Sequence, residues 1–152
     1  MPATSIDAAV ATAAAAAKRA IVDGDSSTEN SYFRLVRLAA GESDRFRVAD
    51  FECLAVVLSG SVDIEVGGAR YAAVGERRDV WSGRADSVYC GRDREVTLTA
   101  SANAEIAIAG CRSDADFAPF RVRPEEVDMV EVGSAETKSR RRIFHILGHN
   151  GA

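Results

Sequence analysis

The feature that most constrains this chain is a series of short segments between residues 32 and 111 in which apolar and polar side chains alternate. A period of two is typical of half-buried β-strands, and Gly, Asp and Ser residues separate the segments. The pattern predicts strands over 33–38, 45–51, 53–58, 61–66, 70–74, 86–90, 95–100 and 105–109. Since no helical period separates them, we expect an all-β antiparallel sandwich or barrel and not a βαβ fold.

Glycines and prolines indicate where this pattern turns and ends. Gly67 and Gly68 form a two-residue hairpin signal between two of the strands. After Cys111 the alternation fades, and two prolines punctuate a predicted loop. Residues 125–127 then start either a further short strand or a turn.

The first thirty residues have a different composition. Residues 7–22 (DAAVATAAAAAKRAIV) form a strong helix by propensity, and a polar linker is predicted over 23–31. A secretory signal is the alternative interpretation, but the segment has no basic n-region and carries Asp7 ahead of its apolar part.

Charge and cysteine content exclude several classes of protein. The 152 residues contain 19 basic and 23 acidic side chains, which argues against a nucleic-acid-binding protein. No apolar run approaches the roughly 18 residues of a membrane span, so we expect no membrane association. Three cysteines are an odd number and form no CxxC pair, which favours a reducing, cytoplasmic location.

One spacing bears on metal chemistry. Gly41, Arg47, Ala49, Cys53 and Gly60 follow G-x5-R-x-A-x3-C-x6-G. This resembles the first cupin motif, G-x5-H-x-H-x3-E-x6-G, with its glycines present and its three metal ligands replaced. A guanidinium repels a cation and a methyl group cannot ligate one, so we expect no metal cofactor in this chain. The resemblance implies a cupin-like jelly-roll barrel.

A second cupin motif has two possible placements. It either begins at Gly75, with Asp86 at its histidine position, or lies over residues 91–93, with Val96 there. Neither placement supplies a histidine. The two histidines of the chain, His145 and His149, lie in its last eight residues, so a histidine-based metal site is excluded from its body.

Longer stretches are similar to the N-terminal half of the 5-deoxy-glucuronate isomerase family of inositol catabolism. They are YFRLVRLAAGES (32–43), ECLAVVLSGSVDIEVGG (52–68), GERRDVWSGRADSVYC (75–90) and RVRPEEV (121–127). The run RRRIFHIL (140–147) resembles the family's segment before the crossing between its two cupins. The family's histidine in this run falls at Phe144 here, so no role passes to His145.

The resemblance implies a function and an organisation. Family members are bicupins that interconvert 5-deoxy-glucuronate and its 2-keto isomer, with a divalent metal in the second cupin. This chain would then be the metal-free cupin half of an isomerase, with a second cupin half or a second copy as its partner. The organisation expected is helix and linker (1–30), cupin barrel (31–130), and C-terminal tail or interdomain crossing (131–152). The alternatives are a stand-alone cupin that binds a small acid or sugar, and a self-associating structural cupin.

No catalytic residue is predicted, but five residues are candidates for lining a pocket: Arg47, Ala49, Cys53, Trp81 and Tyr89. An inward Arg47 could hold a sugar carboxylate with its planar donors. Its alternative role is an ion pair at the barrel mouth with Glu42, Asp44 or Asp50. Cys53 is expected to be a small buried hydrophobic residue. Trp81 and Tyr89 are either packing residues or a platform for a ligand.

Overall fold

A computed structural model describes residues 20–24 and 28–148 of the chain. These residues form twelve strands: β1 Ala20–Asp23, β2 Ser31–Leu38, β3 Ser43–Phe46, β4 Phe51–Ser59, β5 Val62–Val66, β6 Ala69–Val74, β7 Asp86–Cys90, β8 Val96–Ala100, β9 Ala104–Arg112, β10 Phe120–Val122, β11 Asp128–Val132 and β12 Arg141–His145. A short 3-10 helix covers Pro124–Glu126. Within the described part, no helix is long and apolar enough to cross a membrane.

The strands assemble into two facing sheets and a separate ribbon. The larger sheet has the order β1-β2-β9-β4-β7-β10, and the smaller sheet has the order β3-β8-β5-β6. Strands β11 and β12 pair only with each other. All pairings are antiparallel, which confirms the predicted all-β antiparallel architecture.

The core lies between the two sheets, because the inward residues of each strand are the apolar ones. In β4, alternate residues are buried and half-buried from Phe51 to Leu58, as expected for a central strand with one face on the core. Side chains that are fully buried there include Val36, Val57, Ile106 and Ile108 from the larger sheet and Val62, Ile64 and Leu98 from the smaller one. The space between the sheets is therefore filled with side chains.

The Gly67-Gly68 hairpin forms where it was predicted, between β5 and β6. Both residues have positive φ angles, 56° and 83°. A two-residue hairpin turn of this kind requires positive φ at both central positions, which glycine adopts without steric cost.

The predicted strand over 45–51 is wrong. Strand β3 ends at Phe46, β4 begins at Phe51, and the residues between them form a turn in which Asp50 has a φ of 66°. Polar contacts hold this turn: the Asp50 amide donates to Asp93 Oδ1 at 2.9 Å, and Arg92 pairs with the Asp50 carboxylate. These hydrogen bonds to residues distant in sequence break the alternation that the sequence pattern continued through the turn.

The predicted helix over 7–22 is wrong at its C-terminal end. Residues 7–19 lie outside the described part, whereas Ala20, Ile21 and Val22 belong to strand β1. Without β1, the edge of β2 would have unpaired backbone groups. Residues 20–23 pair with this edge as a strand and so do not form the last turn of a helix. The end of the predicted helix is therefore strand, and so are Asp23 and Ser31 at the two ends of the predicted linker.

The region after residue 111 contains more structure than the sequence predicted. Strand β10 pairs with β7, and the residues predicted as a short strand or turn, 125–127, lie at the 3-10 helix. The Arg123 amide donates to Glu126 Oε2 at 2.7 Å, and the Glu126 amide donates to the Arg123 carbonyl at 2.9 Å, so both bonds close the start of that helix. The ribbon β11–β12 crosses the predicted boundary between barrel and C-terminal segment at residue 131, because β11 begins at Asp128 and β12 lies wholly beyond it.

Candidate functional site

The glycines of the cupin-like spacing have a structural role. Gly41 and Gly60 have φ angles of 84° and 78°. A Cβ at Gly60 would lie 2.1 Å from the carbonyl oxygen of Asn103, whereas a Cβ at Gly41 would meet no atom within 4 Å. The spacing therefore marks two tight turns, and at Gly60 also a close backbone approach.

Two of the three positions that replace metal ligands do not face the core. Arg47 and Ala49 are exposed, with the Arg47 side chain 60% accessible to solvent. The inward orientation expected for Arg47 is wrong because residues 47–50 form a turn. Its partner is Asp93 at 3.6 Å, and not Glu42, Asp44 or Asp50.

Cys53, at the third position, does face the core and lies opposite Cys90 in the β4–β7 register. Burial raises the pKa of both thiols to about 12, and the negative charge of Glu52 adds to the effect at Cys53. Both side chains are free thiols and stay protonated near neutral pH, so neither is activated as a nucleophile or a metal ligand. Cys53 is the small buried residue that we expected.

A buried ion pair joins the larger sheet to the smaller one. Arg34 on β2 donates from Nη2 to Asp44 Oδ2 on β3 at 2.6 Å, and both side chains are almost fully buried. The guanidinium also lies over the ring of Phe46, with 5.6 Å between Cζ and the ring centre. Because the two charges are paired with each other, neither is available to bind a ligand or a metal ion between the sheets.

A second ion pair involves Asp86, the histidine position of one motif placement. Arg121 on β10 donates from Nε and Nη2 to the two carboxylate oxygens, at 2.9 and 2.6 Å. The Gly75 amide donates to Oδ2 at 2.9 Å, and Arg121 also donates to the carbonyls of Ala72 and Ala73. The Asp86 carboxylate is therefore surrounded by donors, and a cation would have to displace a guanidinium to reach it.

These residues do not fit the divalent metal that a cupin motif implies. The motif positions carry an exposed arginine, an exposed alanine and a protonated buried thiol. Across the described part of the chain, no three His, Cys, Asp or Glu side chains are grouped so that they could hold a metal ion. Transition metals in such sites require imidazole and carboxylate donors that are free to ligate.

The outer face of the larger sheet carries a tyrosine–carboxylate pair. Tyr89 donates its hydroxyl to Glu52 Oε2 at 2.6 Å and stacks on Phe120 with 4.9 Å between ring centres. Burial, together with the Glu52 hydrogen bond, raises the pKa of Tyr89, so the hydroxyl stays protonated. Tyr89 and Cys53 line a shallow cavity of about 280 Å³ on this face. Tyr89 is thus mainly a packing residue.

The largest of the surface cavities described lies beside Trp81, and we name it the Trp81 groove. It has a volume of about 1030 Å³ and lies between the loop 77–85 and the β11–β12 ribbon. Its lining is Val56, Leu58, Arg77, Val80, Trp81, Gly83, Arg84, Ala85, Met129, Glu131, Arg140, Arg141, Arg142, Phe144 and Ile146. The lining combines apolar side chains with five arginines and one carboxylate.

A firm turn positions Trp81 in this groove. The Trp81 amide donates to Asp79 Oδ1 at 2.9 Å, and this bond is the main reason that the pKa of Asp79 is lowered. Arg77 donates to the carbonyls of Val57 and Gly83 and so holds the loop against the sheet. The Trp81 side chain is nonetheless 92% exposed.

The five predicted pocket residues are not brought together. Trp81 lies in the Trp81 groove, Cys53 and Tyr89 line the shallow cavity, and Arg47 and Ala49 are in an exposed turn. Sequence analysis missed the groove itself and the Arg121–Asp86 pair. The one usable signal was the run RRRIFHIL, in which arginines precede exposed apolar residues.

The two antiparallel sheets place this chain in the class of two-sheet β-proteins with a cupin-like architecture. A family model for the KduI/IolB family matches residues 9–152, and the chain belongs to that family. This confirms the family resemblance that the sequence showed.

Two relatives are similar to this chain over most of its length. One is a 5-deoxy-glucuronate isomerase of Shouchella clausii, 27% identical over 116 residues, which are 76% of this chain and 42% of the relative. The other is an IolB-like protein from Salmonella typhimurium, whose crystal structure superimposes with a TM-score of 0.78 at 22% identity, covering 85% of this chain and 49% of that one. The chain spans about half the length of each of these relatives.

Proposed function

We propose that this chain is a non-catalytic, metal-free cupin unit of a 5-deoxy-glucuronate isomerase-like protein. In this proposal the aldose–ketose isomerisation, a step of inositol catabolism, takes place in a second cupin unit that supplies the metal. The proposal rests on the three residues at the metal-ligand positions of the first cupin motif. Arg47 and Ala49 are exposed to solvent, and Cys53 is a buried protonated thiol.

The chemistry of the reaction supports this assignment. Moving a carbonyl between adjacent carbons requires a base that works near neutral pH and a group that stabilises the enediolate oxygens. The buried carboxylates of the described part are Asp44 and Asp86, and each forms an ion pair with an arginine. Neither carboxylate is therefore free to act as the base. An arginine cannot accept the proton, because it stays charged at any working pH.

The family assignment supports the part of the proposal that places the isomerisation in a second cupin unit. The curated relative is named an isomerase, and the matched region is less than half of its length. A unit with a filled interior can still stabilise a partner unit through its outer surfaces. The role proposed here is structural support of a metal-bearing unit.

An isomerase assay tests the proposal. The chain is incubated with 5-deoxy-glucuronate and, in separate samples, Fe²⁺, Mn²⁺, Ni²⁺ or Zn²⁺, with the Shouchella clausii enzyme as the positive control. We expect no turnover above that of the metal alone. Turnover by the chain would contradict the proposal, and its loss in an Arg47→Ala variant would locate the active site near the β3–β4 turn.

A further inference from the structure

Several large apolar side chains are exposed to water in the Trp81 groove, and their exposure is energetically unfavourable. Val80, Trp81, Met129 and Phe144 are all large, apolar and exposed, and all line the groove above Val56 and Leu58 of β4. A contiguous apolar patch of this kind marks an interaction surface. Trp81 is the side chain most typical of an interface anchor, and the hydrogen bond from its backbone amide to Asp79 fixes the turn that carries it.

The ribbon β11–β12 gives a second reason to expect a partner. It pairs with neither main sheet, and all but one of its ten residues are exposed. Alternation places Met129 and Phe144 on the groove side and Val130 and Ile143 on the other. An isolated two-stranded ribbon is only marginally stable in water, so apolar contact with a partner would stabilise it.

The charge of the groove indicates the chemistry of that partner. Arg77, Arg84, Arg140, Arg141 and Arg142 line it, with Glu131 as the single carboxylate. Arg140 and Arg142 share Glu131, whereas Arg77 and Arg84 donate to neutral backbone carbonyls. Asp79 is the one acidic side chain of the described part whose charge acts on Arg77, so arginines still outnumber carboxylates around the groove. The chain as a whole has a net charge of −4, so this positive surface is local.

We propose that the Trp81 groove binds an acidic protein segment, which places apolar side chains against Trp81 and Phe144 and carboxylates against the arginine rim. Charge complementarity favours this occupant. A second copy in a two-fold contact would bring the two arginine rims together, which is unfavourable. A small anion alone would leave the apolar walls open to water, because sites for small ligands enclose most of the ligand surface.

Synthetic peptides of about fifteen residues test both parts of the proposal. One peptide carries Leu and Phe anchors flanked by Glu, and matched peptides replace Glu with Gln, Glu with Lys, or the anchors with Ala. Binding is measured by fluorescence anisotropy at low and high salt. We expect saturable binding of the first peptide, binding at least about tenfold weaker for the Gln and Ala-anchor peptides, and none for the Lys peptide.

Matched variants locate the site. Trp81→Ala and Arg142→Glu should each weaken binding of the acidic peptide at least about tenfold, because the Arg142 side chain lies on the same face of β12 as Phe144. Phe117→Ala and Arg45→Glu are the controls, because these exposed side chains lie outside the groove, and their variants should bind unchanged.

Three results of the peptide measurements would overturn the proposal. They are equal binding of the Glu and Gln peptides, no binding of the Glu peptide, and binding unaffected by Trp81→Ala. Light scattering after size exclusion measures self-association on the same samples. A dimer that Trp81→Ala dissociates would also overturn it, because the occupant would then be a second copy.

Discussion

Arg121 and Asp86 form a two-point ion pair that ties strand β10 to strand β7 from the inner side of the larger sheet, with 2.9 and 2.6 Å between the paired atoms. Asp86 is only 4% exposed, and the hydrogen bonds to it raise the pKa of Arg121. The pair therefore keeps a buried carboxylate neutralised at the position where one of the two placements of the second cupin motif has its histidine.

Removing Arg121 should destabilise the protein strongly. An Arg121→Leu variant leaves the Asp86 charge buried without its partner, and breaking such a pair costs about 3–5 kcal/mol. Urea unfolding measures the change. Arg37→Leu is the control, because its pair with Glu105 is exposed and should cost less than about 1 kcal/mol. A loss below about 1 kcal/mol for Arg121→Leu would show that Asp86 does not depend on it.

The two glycines of the cupin-like spacing should respond differently to substitution. Gly41→Ala imposes only the backbone strain of a positive φ, about 1–2 kcal/mol. Gly60→Ala has the same strain and also places its Cβ 2.1 Å from the Asn103 carbonyl oxygen, so its loss of stability should be clearly larger. Thermal unfolding of both variants checks the order. Equal effects would mean that the backbone at Asn103 moves aside freely.

Thiol labelling should distinguish the three cysteines. Cys111 is exposed, whereas Cys53 and Cys90 are buried, with pKa values raised to about 12. Iodoacetamide treatment of the native protein at about pH 8 should modify Cys111 alone, as read by mass spectrometry of tryptic peptides. A Cys111→Ser variant should then take up no label until urea is added. Rapid modification of Cys53 in the native state would contradict the packed interior.

Stability should fall in alkaline solution. The buried thiols of Cys53 and Cys90 have a folded-state pKa of about 12 against an ordinary value of 9.0. The unfolded chain therefore loses these protons first, and the stabilisation is present below pH 9 and is lost as the pH rises toward 12. Urea unfolding at about pH 8 and about pH 10.5 should show the decline. A Cys53→Ala, Cys90→Ala double variant should show a smaller one; equal slopes would assign the effect to the tyrosines.

The sequence predicted the parts of the fold in which local pattern and tertiary packing agree. Strand β7 has the predicted bounds, and the Gly67-Gly68 hairpin has the predicted turn, since alternation and turn chemistry indicate the same structure there. The prediction failed at Arg47, where hydrogen bonds between Asp50 and Asp93, distant in sequence, create a turn.

The candidate site was less predictable than the fold. The Trp81 groove combines residues of β4, of the loop 77–85 and of β12, and no short-range pattern brings these segments together. The ribbon also lacks the regular alternation of a strand with one buried face, because both of its faces carry apolar side chains. Sequence spacing showed which metal ligands were replaced, but not which partners Asp44 and Asp86 would have.

Metal stoichiometry tests the central claim most directly. The chain is purified without chelator, incubated with Fe²⁺, Mn²⁺, Ni²⁺ or Zn²⁺, desalted, and analysed for metal per chain by plasma mass spectrometry. We predict well under one equivalent of each metal, because Arg47 and Ala49 cannot ligate and the Asp86 carboxylate is held by Arg121. A full equivalent that is retained by the wild type and lost in an Asp86→Asn or Cys53→Ala variant would place a metal centre between the sheets and contradict the account.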